Sequence, residues 1–246
     1  SRGLGDVYKR QDYYKQNGLF AILALSSNEK SSAGNKKLGW KPFARKKINI
    51  RPVLSSLIPI KKLQCHSLTR KLRKSRVGLS FTDHMTETLA IELAEYCAGR
   101  YPANQVGLFK DKRFWMYRYA APHRDYRFIV LKAGPATTGY ACYMESVGSR
   151  NGMRHVKLLD ISALTDACFD LLISAIETRT YSKLMLAYMS SPATTEARRI
   201  GRRFRIVKYE HCNNASDNIL VKPICTETDV TGPHAWGLSY IDIDSM

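Results

Sequence analysis

The chain has 246 residues, 44% of them hydrophobic and 24% charged, with a formal net charge of +18. That is enough apolar material for one large or two small domains with real cores, and it excludes a disordered tail. No apolar run approaches the roughly 18–20 residues of a membrane span and no signal-peptide pattern opens the chain, which points to the cytoplasm.

The first eleven residues, SRGLGDVYKRQ, resemble the translated read-through of a sequencing adaptor of the kind that contaminates metagenomic gene models. They are set aside as non-native, and the remainder is expected to be a C-terminal fragment of a longer protein. Residues 13–16 read as the last turn of a helix stopped by Asn17-Gly18. Residues 19–25 form a continuous apolar run of strand length, as in a strand buried on both faces. Residues 26–37 are polar and have room for a short helix. Leu38-Gly39-Trp40 follows, and residues 46–51 alternate as a basic edge strand. Between Glu29 and Asp83 there is no acidic residue, while fifteen Lys or Arg fall in the interval. Such a block attracts polyanions, so the stretch 30–76 is a candidate contact for nucleic acid, an anionic membrane surface or a phosphorylated cofactor. Residues 59–80 carry only sparse apolar positions and read as a solvated basic linker, with a short amphipathic helix as the other reading.

The next unit spans residues 81–246. Thr82 or Asp83 is placed to cap a helix in which Met85, Leu89, Leu93 and Tyr96 recur at helical spacing. FWMYRY (residues 114–119) is strongly aromatic, and its Trp115, Tyr117 and Tyr119 at period two read as core or as the lining of an acceptor pocket. Residues 126–131 and 139–146 read as a hairpin around Ala-Gly-Pro, and residues 154–161 as a third strand. Thr165 or Asp166 caps a helix turning Ala167, Leu171, Ser174 and Ala175 inward. Residues 183–189 form a buried strand and residues 194–203 a short basic helix. That helix presents Arg198, Arg199, Arg202 and Arg203, as a solvated face or a phosphate clamp. Residues 219–221 and 236–243 close the unit as strands, the latter with Asp242 and Asp244 on one face. The six cysteines, Cys65, Cys97, Cys142, Cys168, Cys212 and Cys225, include no C-x-x-C pair, and no metal site is expected.

One pattern occurs twice. LFAILALSS, then Asn28, a polar stretch and Leu38-Gly39-Trp40 are echoed by KLMLAYMSS, Pro192, a polar stretch and Phe204, with the same step from Asn28 to Trp40 as from Pro192 to Phe204. Each copy closes on a basic residue and proline, Arg51-Pro52 and Lys222-Pro223, so the chain holds two related units. The order helix, hairpin, strand, helix, buried strand, short helix and final strands resembles the GNAT superfamily, the Gcn5-related N-acetyltransferases. FWMYRY followed by Pro122 and Asp125-Tyr126, and the ending WGLSYIDID, resemble segments of such domains. The resemblance implies an α/β (α+β) fold: a mixed, mostly antiparallel sheet flanked by helices. One unit is complete at 81–246, and 12–58 is the C-terminal part of another.

The resemblance further implies an acetyl-CoA or other acyl-CoA donor and a small-molecule amine acceptor. In the family a Q/R-x-x-G-x-G/A loop cradles the pyrophosphate, because glycines let backbone N–H groups approach and the helix N-terminus favours anions. The matching loop here, residues 160–166, has no glycine and no basic residue, and Asp160 and Asp166 are expected to repel a pyrophosphate. Asn28 matches the asparagine beside the CoA arm and is the candidate cofactor-binding residue, with a helix N-cap as its other reading. The general-acid tyrosine position falls near Asn35 in the first unit and Arg199 in the second, so no catalytic residue is assigned and the fragment is expected to be inactive or degenerate. The competing readings are a non-catalytic module holding a polyanion or partner, and aminoacyl transfer of the FemABX kind.

Overall fold

The computed structural model describes residues 21–24, 29–45, 48–53, 58–98, 100, 110–120, 125–147, 152–188, 194–207 and 218–223. The elements run β1 (Ala21–Ala24), α1 (Glu29–Lys37), β2 (Lys41–Arg45), β3 (Ile48–Pro52), α2 (Ile58–Ser75) and β4 (Gly78–Thr82). There follow α3 (Glu87–Cys97), α4 (Lys112–Tyr119), β5 (Tyr126–Ala133), β6 (Ala136–Val147), β7 (Arg154–Ala163) and α5 (Asp166–Arg179). The last are β8 (Leu184–Tyr188), α6 (Thr195–Arg203), β9 (Arg205–Val207) and β10 (Asn218–Pro223). A seven-stranded sheet has the order β4-β5-β6-β7-β8-β3-β9, and a three-stranded sheet the order β1-β10-β2. Among the described pairings only β7–β8 is parallel, so the expected α/β, mostly antiparallel architecture is present.

The two repeats exchange their closing strands. β3, from the first copy, lies between β8 and β9 of the second, with Ile50 opposite Leu186 on one side and Arg205 on the other. β10, from the second copy, lies between β1 and β2 of the first. The basic strand expected at an edge is therefore interior. Its charge is met locally: Arg51 Nε donates to Glu177 Oε1 at 2.6 Å and Nη1 to the Arg203 carbonyl at 3.1 Å. Asn49, which is buried, donates to the Ala187 carbonyl at 3.3 Å. A buried polar strand is tolerable because each of these groups has a partner.

Two apolar layers cover the large sheet. On one face α5 contributes Phe169, Leu172 and Ile176 against Ile129, Ala141, Val156 and Met185, with Ile200 and Phe204 joining from α6 and the residue after it. On the other, α3 and α4 contribute Leu89, Leu93, Trp115 and Tyr119 against Tyr126, Phe128, Tyr140 and Cys142. The aromatic segment is thus a helix rather than a period-two stripe: Trp115 and Tyr119, four apart, are buried and stack at 5.4 Å, while Tyr117 is exposed. In α5 Leu171 and Ala175 are buried as expected, but Ala167 is exposed and Phe169 takes the inward place.

The stretch expected as a solvated linker folds as α2, with Leu68 buried and Leu72 packed beside it against α5. Gly78–Thr82 continues as a strand paired with β5, so Thr82 does not cap α3. Thr86 does, accepting from Leu89 N at 3.1 Å. Thr165 and Thr194 cap α5 and α6 in the same way, each such cap contributing about 1 kcal/mol. No described helix is long and apolar enough to cross a membrane. Residues 13–16, 122, 236–243, Asp242 and Asp244 lie outside the described residues.

Candidate active site at the end of the central strand

β7 is the central strand, and its parallel pairing with β8 runs from His155–Leu184 to Leu158–Ala187 and stops there. Among the described pairings, β7 continues to Ala163 held by β6 alone. In α/β sheets a ligand crevice forms outside the carboxyl ends of parallel strands. At this level β7 is bulged: Cys142 faces Asp160 and Tyr143 faces Leu158, leaving Leu159 extra. A bulge re-aims side chains, and here it turns two consecutive residues the same way. Leu159 packs in the α3/α4 layer, and Asp160 meets Tyr140 of that layer.

Asp160 is buried beside Leu158, Leu159 and Ile161, so its charge requires partners. Lys110 Nζ donates to its Oδ2 at 2.6 Å, and Tyr140 Oη to the same oxygen at 2.7 Å. The Ile161 amide, past the last β7–β8 pair, donates to Oδ1 at 3.1 Å. Cys97 lies 3.6 Å from Tyr140 Oη, and burial raises both its thiol and that of Cys142, so neither is an activated nucleophile.

Past the bulge, Ser162 Oγ donates to Glu196 Oε1 at 3.1 Å. Arg100 and Arg199 both donate to the Ala163 carbonyl, at 3.1 and 2.7 Å. Arg100 also bonds the Tyr96 hydroxyl, whose ionisation burial pushes up to about 12, leaving a phenol that stays protonated through neutral pH. At the first turn of α5, the Thr165 side chain accepts from Cys168 N and the Thr165 carbonyl from Phe169 N. Asp166, the first residue of the helix, carries its carboxylate at the positive end of the dipole. Arg199 Nε bonds it at 2.7 Å and Arg202 approaches at 3.4 Å. The hydrogen bond from Arg199 holds the Asp166 carboxyl below its ordinary value.

The two aspartates of the expected phosphate loop therefore act differently from simple repulsion. Asp160 points into the α3/α4 layer, neutralised by Lys110. Asp166 is itself the anion at the helix N-terminus, and the arginine that reaches that position is already paired with it. The arginine cluster of α6 is divided rather than uniformly solvated. Arg199 is buried and Arg203 pairs with Asp170, while Arg198 and Arg202 are exposed. The acyl-CoA pyrophosphate does not fit these residues: the turn has no glycine, and its anion seat is taken.

Asn28 and Pro192 lie outside the described residues, as do Cys212, Cys225, His123, His211 and His234. Asn35 sits in the last turns of α1, where its carbonyl accepts from Leu38 N and Trp40 N. Trp115 and Tyr119 are core rather than pocket lining. Lys110, Arg100 and Glu196 were not singled out from the sequence, and Tyr96 was read only as part of a helix face; only Asp160, a charge inside VKLLDISA, signalled that a buried cation had to exist. Among the described residues no group of three His, Cys, Asp or Glu is placed to hold a metal ion. A cavity of about 350 Å³ lies at the other end of β7, between Arg127, Glu145, Arg154, Arg179 and Tyr181.

No family model and no curated protein matches the sequence. Solved structures do. A GCN5-related N-acetyltransferase from Kribbella flavida superposes with a TM-score of 0.57 at 11% identity, over 91% of this chain and 48% of that one. A GCN5-related N-acetyltransferase from Anabaena variabilis gives 0.55 at 11% identity, over 89% and 50%. A conserved Enterococcus faecalis protein named a probable N-acyltransferase gives 0.55 at 8% identity, over 91% and 51%. The chain spans about half the length of these neighbours. These likenesses show that the chain carries the fold of the GCN5-related N-acetyltransferases.

Proposed function

We propose that this chain is part of a GNAT-type N-acyltransferase that passes an acyl group from acyl-CoA to a small amine, and that the large described unit supports the assembly without binding the cofactor. The observation that carries the second half is the Asp166 carboxylate at the start of α5, bound by Arg199. A pyrophosphate needs backbone N–H groups and a free cation at that point. Here an acidic side chain occupies the dipole, and α6 supplies its counter-charge. Cofactor binding is then assigned to the first unit, in which Asn28 is the candidate polar contact and residues 12–58 hold no Q/R-x-x-G-x-G/A stretch.

Titration of acetyl-CoA into the 246-residue chain by calorimetry tests this. The expected result is no saturable heat at millimolar ligand. Saturable binding with Kd tighter than about 0.1 mM, near −5.5 kcal/mol, overturns the assignment.

A further inference from the structure

α2 contains six Lys or Arg in IPIKKLQCHSLTRKLRKS and no acidic residue. Lys62, Arg70, Lys71, Arg73 and Lys74 are exposed, and Arg76 follows them. None of the described ion pairs reaches this helix. α6 differs: its Arg199, Arg202 and Arg203 are each matched to Asp166 or Asp170. At 100° and about 1.5 Å per residue, Lys62, Arg70, Arg73 and Lys74 share about one third of the helix circumference and extend over roughly 18 Å. Like charges three and four apart oppose helix formation by a few tenths of a kcal/mol each. That repulsion is relieved by an extended anion lying along the stripe.

We propose that this face of α2 binds the phosphate backbone of a nucleic acid. Charge sign, the length of the stripe and the arginine forks fit a phosphate backbone. A membrane surface fits less well. Helices that settle into lipid present a broad apolar face to it, whereas Leu68 and Leu72 of α2 are packed against the core and Leu63 is a single exposed apolar side chain among the cations. The exposed stripe has no Phe, Tyr or Trp for base stacking, so binding is to the backbone and independent of sequence.

Fluorescence anisotropy with labelled DNA and RNA duplexes of one sequence is the experiment. About four phosphate contacts give a slope of log affinity against log salt near −3.6, or roughly a 150-fold loss between 50 and 200 mM salt. The variant K62Q/R70Q/R73Q/K74Q should abolish that slope, whereas K62R/K74R and R113Q, an exposed cation on α4, should retain it. Circular dichroism melts confirm that all three variants fold. The proposal is overturned by any of three results: absence of binding to both duplexes at 50 mM salt, unchanged binding by the four-site variant, or displacement of the duplex by phosphatidylglycerol vesicles at lower concentrations than by unlabelled nucleic acid.

Discussion

Lys110→Met probes the bulge most directly. It removes the cation 2.6 Å from Asp160, where the two side chains are 7% and 4% exposed. The remaining carboxylate keeps the Tyr140 hydroxyl and the Ile161 amide but has no described counter-charge. Breaking a buried pair from one side costs about 3–5 kcal/mol, and the two surviving hydrogen bonds place the expectation near 3 kcal/mol. At 2–4 °C per kcal/mol for a chain of this size, Tm falls by roughly 6–12 °C. Urea unfolding with an unchanged m-value measures the loss. Removing both charges, as Lys110→Met/Asp160→Asn, should recover most of it. A single variant that loses less than about 1 kcal/mol, or a double variant no better than the single, refutes the reasoning.

Gly139→Ala tests how closely β6 approaches the α5 turn. A Cβ there would lie 3.0 Å from the Ser162 carbonyl oxygen and 3.2 Å from Ala163 Cα, both backbone, so a loss of about 1–3 kcal/mol is expected in thermal unfolding. An unchanged melt contradicts it. Asp166 makes a pH-dependent contribution. Its folded carboxyl is held below the ordinary value by the Arg199 hydrogen bond, with Arg203 and Arg202 adding charge. Its stabilisation is therefore present above the unfolded carboxylate range and lost as pH falls through the folded value. Wild type should melt above Asp166→Asn at neutral pH, and the two curves should converge in acid. A gap that persists in acid excludes the carboxylate as its source.

Much of the fold was legible because it rests on local signals. The run at 183–189, the Ala-Gly-Pro hairpin and the Thr165 cap each carry their own periodicity or turn chemistry. The doubled pattern also identified β3 and β10 as equivalent. It did not reveal that they trade places, because strand pairing over such separations leaves no local mark. α2 was read first as a linker for a related reason: its buried stripe is only Leu68 with Leu72 beside it, and the α5 surface that covers it is distant in sequence. FWMYRY fits either period over so short a segment, and only the cap at Asp111 and the burial of Trp115 and Tyr119 make it a helix. At the candidate site, the missing glycine was readable. The pairing of Asp166 with Arg199, thirty-three residues away, was not.

The exchanged closing strands also set an order of events during synthesis. Asn49 on β3 bonds Ala187, 138 positions later, and β1 and β2 are joined only through β10. As the chain emerges, β3 has no strand beside it until residues 184–207 exist, and the small sheet stays split until residues 218–223 arrive. Closing such long loops is slow, and the waiting edges are open to wrong partners. Neither half can finish alone. Each repeat supplies the strand that completes the other's sheet, so the two fold as one late, cooperative event rather than in sequence.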